Sequence, residues 1–366
     1  MSAIYQVETA AAKKFTQELF QGYGFTEAHA TAIAENLVGA EMRGLRSHGL
    51  VRIELYLTQQ KMGAIRTEAN PIVVFETPTT AVLDACGAAG AVAGDIATTL
   101  AIEKAKQSGL GLVTIRNSNH FGGCGYYSEK IAQQEMIGIV ASNTAPLMAS
   151  PVTKKPVIGN NPFSVAVPAG KYAPINLDIS NGVMAFGKIF EYRRQNKPFP
   201  ENAWLDENGN PTTDPFANEF IKFISLPIAG HKGYGLALAV ECLTSVLAGG
   251  VVAGDILPEP GHSQDECNPV THTVMAIDLN AFGDKAAILR RSEELVEYLH
   301  SFETRDPSMK MLYPGELEGN AIAASQHNGI NVPENVVLFM KERAEAVGVD
   351  FPSDVFRHIE NSGKDV

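Results

Sequence analysis

Four cysteines in 366 residues, Cys86, Cys124, Cys242 and Cys267, are too scattered for a disulfide framework, and none falls in a CxxC or Cys/His ligand spacing. They read as incidental or buried thiols of a reducing compartment. No Lys/Arg-rich run offsets a formal net charge of -12, which repels phosphate backbones and argues against nucleic acid as a partner. Long apolar runs are lacking too. The stretch from Val82 to Ala101 is interrupted by Asp84 and Asp95, and the N-terminal MSAIYQVETAAAKKF has no apolar signal-peptide core. A cytoplasmic protein with no membrane partner is expected. The glycine fingerprint GxGxxG is also missing, because Gly109/Gly111, Gly123/Gly125 and Gly233/Gly235 each lack the third small residue at its place. That disfavours a standard Rossmann dinucleotide site.

What remains is an ordinary globular composition, 45% hydrophobic and 19% charged, long enough for two cores. From about Val7 to Gln60 apolar residues recur at helical spacing, with Thr26 a candidate N-cap. From about Pro71 the texture changes to short β-rich runs: PIVVFE, TAVLDA, GLVTIR, IGIVASN and FSVAVPA. Helices are expected over Ala88–Gln107, Gly125–Gln134 and, as a strongly apolar and buried one, Gly233–Gly249. The turn-rich Pro198–Pro215 reads as a surface loop. The strand THTVMAIDL then precedes helices at Ala286–Thr304 and Pro333–Val347. This order implies a helical domain built from both termini, residues 1–70 with 285–366, around an inserted α/β domain of residues 71–284.

Four constellations could carry chemistry. In EMRGLRSHGLVRIELYL, helical spacing would set His48 and Arg52 one turn apart. An imidazole can take a hydroxyl proton while a guanidinium grips a carboxylate bidentately; a solvated helix face is the bland alternative. After the strand GLVTIR come Asn117, Asn119, His120 and Phe121, a ligand-facing loop in which His120 is either a second acid/base group or a helix cap. Gly182–Lys188 matches the first part of a P-loop, but Ile189 stands where Ser or Thr should bind magnesium. In the same segment Asp178, at a strand end, is placed to orient a catalytic imidazole or a nicotinamide ribose. Finally, GHKGYG opens an apolar helix, so Lys232 and free N–H groups suit a pyrophosphate, unless the glycines merely soften the helix start.

These blocks, together with IGNNPFSVAVPA, AWLDENGNPTTDP and YPGE, resemble the type-2 malate/L-lactate dehydrogenase family, which includes ureidoglycolate, sulfolactate and diketogulonate enzymes and a cyclic-imine reductase. The resemblance implies an α/β, α+β-like fold. Its NAD(P)-binding domain is non-Rossmann with a largely antiparallel mixed sheet, and the molecule is a homodimer whose chemistry needs no metal. It also implies His48 and His120 as acid/base residues with Asp178 in a catalytic role, and Ser47 and Arg52 at the substrate. Asn119, Thr144, Asn160, Asp178, Ile179, Ser180, Lys232, Gly315 and Glu316 would contact NAD or NADP, with NAD favoured. The expected reaction is hydride transfer between nicotinamide and a small 2-hydroxy acid/2-oxo acid pair. Malate/oxaloacetate is the first guess, then lactate/pyruvate or ureidoglycolate. A cyclic imino acid reductase is the alternative within enzymes, and a nucleotide-binding regulatory protein the alternative outside them.

Overall fold

A computed structural model describes residues 4–219, 222–256 and 269–359. Three sheets organise them. The largest contains β2 (Ile72–Glu76), β3 (Thr80–Asp84), β4 (Leu110–Ser118), β5 (Met136–Ser142), β8 (Phe163–Ala169), β9 (Tyr172–Ile179) and β13 (Val270–Asp278). Their order is β2-β3-β4-β13-β5-β8-β9, and only the β3/β4 pair is parallel. The late strand β13 therefore lies between β4 and β5, which it joins antiparallel. This is the mixed, largely antiparallel and non-Rossmann α/β arrangement expected from the sequence.

Helices α4 (Gly90–Ser108) and α5 (Cys124–Ala132) cover one face of this sheet. The inner face of α4 is nearly all alanine, which lets it lie close, and Ala93, Ala97, Ala101 and Ala105 are buried against Val113, Ile115 and Val274. A five-stranded sheet comprises β6 (Met148–Ala149), β7 (Pro156–Ile158), β10 (Trp204–Leu205), β11 (Pro211–Thr212) and β12 (Ile224–Ser225). The Pro198–Pro215 segment is thus more than a surface loop. It carries the β10/β11 hairpin, with Trp204 fully buried against Phe186, Phe199 and Phe223.

The early helices are α1 (Thr9–Gly22), α2 (Glu27–Met42) and α3 (Ile53–Lys61). Thr26 caps α2 as its sequence suggests, its hydroxyl accepting from His29 N. Gly44, at φ +75°, ends the same helix: Leu45 N donates to Ala40 O and Gly44 N to Glu41 O, a Schellman closure. The sequence reading missed β1 (Ile4–Val7), which pairs antiparallel with both β14 (Ile330–Pro333) and β15 (Arg357–Ile359). Four residues are too short to show alternation. One apolar core runs from Val7 through Val92 and resumes at Ile330 through Phe356, including Met340 of α10 (Glu334–Ala346). By contrast, α8 (Lys285–His300) rests on β8, with Val296 packed beside Ala169 and Tyr313.

Helix α7 (His231–Glu241) runs into a π-helical turn over Cys242–Val246. It is not the buried helix that its composition suggests. Leu236, Leu238, Leu243, Val246 and Leu247 are 44–62% exposed, because this chain covers only the side bearing Ala237, Val240 and Glu241. The two remaining helices are α6 (Lys188–Gln195) and α9 (Glu316–Asn328). No described helix is long and apolar enough to cross a membrane. Cys86, Cys124 and Cys242 form no disulfide among the described residues, and Cys267 lies outside them.

Candidate active site

The segment Arg46–Arg52 is not the continuous helix that would set His48 and Arg52 one turn apart. It forms two short 3-10 turns, Arg46–His48 and Leu50–Arg52, broken at Gly49. The two side chains still share one locus. The Arg52 Nε donates to the Ser47 carbonyl at 2.6 Å, folding the guanidinium back over the first turn, while Ser47 Oγ lies 3.0 Å from His48 Nδ1.

His120 arrives from the loop after β4. Its ring stacks on His48 with centroids 5.6 Å apart and planes 21° from parallel. Tyr56, one turn further along α3 than Arg52, places its hydroxyl 2.8 Å from His120 Nδ1. That loop is pinned by buried groups. Asn119, fully buried, donates to the carbonyls of Ala64 and Ala88 at 3.0 and 2.9 Å. Phe121 stacks on the buried His272 at 3.8 Å, and His272 is held between Ser118 Oγ and Ser142 Oγ at 3.0 and 2.9 Å.

Electrostatics follow from this crowding. Burial, reinforced by the Arg52 charge, lowers the His48 pKa to about 4. His120 is pushed well below the ordinary histidine range by burial first, then by Arg52, His48 and His272. Burial drives the Tyr56 hydroxyl upward, so it stays protonated. Near neutral pH the locus therefore holds two uncharged imidazoles, a phenol and one cation. Among the described residues no carboxylate forms an ion pair with Arg52, and no hydrogen bond occupies Nε2 of His48 or His120. The site can accept a proton and hold an anion at the same place.

A second cleft, of about 240 Å³, opens beside α5. Its wall includes Arg43, Asp178, Ile179, Tyr313 and Gly315. Asp178 is exposed at its mouth, its carboxylate close against the backbone of Gly123 and Gly125 at the start of α5. It orients neither imidazole, whose Nδ1 partners are Ser47 and Tyr56. Gly315, at φ +94°, lies flush on the chain at Pro174 and Asn176, where a Cβ would sit 2.6 Å from a carbonyl oxygen. Glu316 turns the other way, to His300 at 2.9 Å, into a larger groove of about 550 Å³ beneath residues 302–312 that contains none of the catalytic candidates.

Of the remaining candidates, Thr144 donates to Asn160 Oδ1 at 3.0 Å, and Asn160 O accepts from Asn181 N. Ile228 N in turn donates to Asn181 O just before the exposed Lys232 at the head of α7. Lys232 has no carboxylate partner among the described residues. The Gly182–Lys188 stretch is no phosphate cradle: Met184 and Phe186 pack around Trp204, and Lys188 pairs with Glu191. The sequence reading missed Tyr56, which passes for one more buried residue of α3. It also missed His272, whose only signal is a polar ring inside an apolar strand. Among the described residues no three His, Cys, Asp or Glu side chains gather so as to hold a metal ion.

Two stacked imidazoles thus stand beside a guanidinium that has no carboxylate partner among the described residues, on a mixed, largely antiparallel sheet. The chain belongs to the malate/L-lactate dehydrogenase family, whose model matches residues 7–341. It is 35% identical over 338 residues to an L-sulfolactate dehydrogenase of Methanocaldococcus jannaschii, covering 92% of this chain and 96% of that protein. The solved structure of that enzyme superposes with a TM-score of 0.86 at 34% identity, covering 94% and 98% of the two chains. An Escherichia coli ureidoglycolate dehydrogenase (NAD(+)) is 35% identical over 62% of this chain and 64% of its own. A Pseudomonas putida Delta(1)-pyrroline-2-carboxylate/Delta(1)-piperideine-2-carboxylate reductase is 29% identical over 93% and 97%. The chain is thus a 2-hydroxy acid dehydrogenase of this family.

Proposed function

We propose that this protein interconverts a small 2-hydroxy acid and its 2-oxo acid with NAD, in preference to NADP, as the hydride partner. Malate/oxaloacetate is the first pair to test, followed by lactate/pyruvate and ureidoglycolate; sulfolactate joins them from the relative described above. The observation that carries this reading is the Arg52 guanidinium, which has no carboxylate partner among the described residues, beside the stacked His48 and His120.

Arg52 holds the substrate carboxylate, aided by Ser47, and so aims the C2 hydroxyl at the imidazoles. His48 takes the hydroxyl proton at Nε2 while its Nδ1–H donates to Ser47 Oγ. His120 is the second candidate. Tyr56, through its hydroxyl, serves either tautomer of His120: as acceptor it leaves a lone pair at Nε2, and as donor it leaves a proton there for the return reaction. The chemistry that a nicotinamide would supply, when bound, is that of hydride acceptor or donor for C2.

The donor set suits such a dinucleotide. Lys232 at a helix N-terminus favours its pyrophosphate, and Asp178, Ile179 and Gly315 offer a cleft for a ribose, with Ser180 next in the chain; Thr144 and Asn160 are linked through Asn181 and Ile228 to the segment before Lys232. Asn119 contributes by anchoring the His120 loop, its amide being spent on backbone carbonyls. Glu316, engaged by His300, is the least available of the set. The division into residues 1–70 with 285–366 and an inserted 71–284 belongs to the same reading, supported by the core shared between both ends and modified by α8, which attaches to the inserted part. So does a homodimer covering the exposed leucines of α7, and a cytoplasmic setting in which the three described thiols stay reduced.

The test is reduced-nicotinamide absorbance with NADH or NADPH, the 2-oxo acids above and a cyclic imino acid, together with sedimentation velocity of the same preparation. Oxidation of NADH by a 2-oxo acid, in a species of twice 39.2 kDa, is the expected outcome. Turnover confined to the imino acid would replace the substrate class, and a monomer would remove the dimer.

A further inference from the structure

The mechanism leaves one buried acid unused. Glu41 lies in the last turn of α2 and is 8% exposed, although helix ends of that polarity disfavour a negative charge. No ion pair holds it among the described residues. Its Oε1 instead accepts from Leu50 N at 2.8 Å, the first residue of the turn that carries Arg52. Gly49 sits flat on the same carboxyl: a Cβ there would lie 2.1 Å from Oε1, 2.5 Å from Cδ and 2.8 Å from Cγ. Gly49 has φ -89° and ψ -146°, so no positive φ demands a glycine here. The close approach of the carboxyl does.

The Schellman closure at Gly44 turns the chain back, and Glu41 meets it where the two 3-10 turns break, between His48 and Arg52. We propose that Glu41 is a positioning residue for the reaction, its carboxyl clamping Gly49–Leu50 and so fixing the mutual placement of the His48 imidazole and the Arg52 guanidinium. Burial raises the Glu41 pKa to about 7, with the Leu50 N–H and then Arg46 opposing the rise, and both its charged and neutral forms accept from Leu50 N. A glutamine keeps that acceptor; an alanine removes it. The proposal rests on the reading of His48 and Arg52 given above.

The experiment compares E41Q, E41A, G49A and the E41A/G49A double variant in the full-length protein. E41A lowers kcat by about tenfold or more, with the cofactor KM unchanged, because small misplacements of catalytic groups are costly. E41Q restores kcat to within about threefold of wild type, since the accepting oxygen is kept. G49A is damaging alone but adds little to E41A, whose missing carboxyl leaves room for the new methyl. Wild-type kcat in E41A, equal losses in E41A and E41Q, or additive losses in the double variant would overturn the proposal. The His48 imidazole NMR signals, assigned with H48A, give a readout independent of turnover. They move in E41A and not in E41Q; unmoved signals in E41A sink the clamp even in an active enzyme. A wild type silent towards every 2-oxo acid sinks the functional reading instead.

Discussion

Replacing His48 by alanine lowers kcat for hydroxy-acid oxidation by about 100-fold or more, the usual contribution of a positioned general base. The fold survives, because His48 is only half-buried and belongs to no apolar core. The pH profile gives a sharper test. A base must be deprotonated to work, and the free-enzyme pKa of His48 is lowered to about 4 by burial and Arg52. Hence kcat/KM stays flat from neutrality down to about pH 5 and falls only below it, where an unperturbed imidazole would already lose activity near pH 6.5. Substrate binding changes this, since a carboxylate on Arg52 cancels part of the repulsion, so the acid limb of kcat lies at higher pH than that of kcat/KM. Steady-state kinetics from pH 4 to 9 checks both limbs. An H48A enzyme with near-normal turnover, beside a crippled H120A, would hand the proton to His120.

Replacing Arg52 by alanine costs about 100-fold or more in kcat/KM, most of it in the KM for the 2-oxo acid. Each charge-assisted hydrogen bond is worth about 1.5–3 kcal/mol, and a carboxylate takes two from a guanidinium. Lysine restores only a fraction, because an ammonium lacks the planar fork. The cofactor KM stays near wild type, which separates loss of the carboxylate anchor from collapse of the site. An R52A enzyme with unchanged KM for the oxo acid would mean that another group holds the carboxylate.

Much of the scaffold was legible in the chain. Thr26 announced the start of α2, and the runs that became β2, β3, β4, β5 and β8 carried their own turn punctuation. Order within the sheet was not legible, because nothing local says that β13 enters between β4 and β5. For the site, His48, Arg52 and His120 could be chosen by chemistry, but their meeting depends on a loop pinned by Asn119 and Phe121, which is tertiary information. Tyr56 and His272 stayed hidden because burial makes a polar ring read as part of an apolar face. The opposite error befell α7, where leucines all round a helix suggest burial without saying that this chain alone supplies it.

The pairing of β1 with β14 and β15 bears on how the molecule is made. Once synthesised, β1 waits for partners at residues 330–333 and 357–359, and the central sheet waits for β13. Such long-range closures slow folding and leave strand edges open during synthesis. Helices α1 and α2 can form early, but the sheet beneath them closes only when residues 357–359 are in place. A ribosome-bound chain stalled before Ile330 would therefore hold β1 with neither neighbour, and protease sensitivity at β1 would disappear only once residues 357–359 have been made.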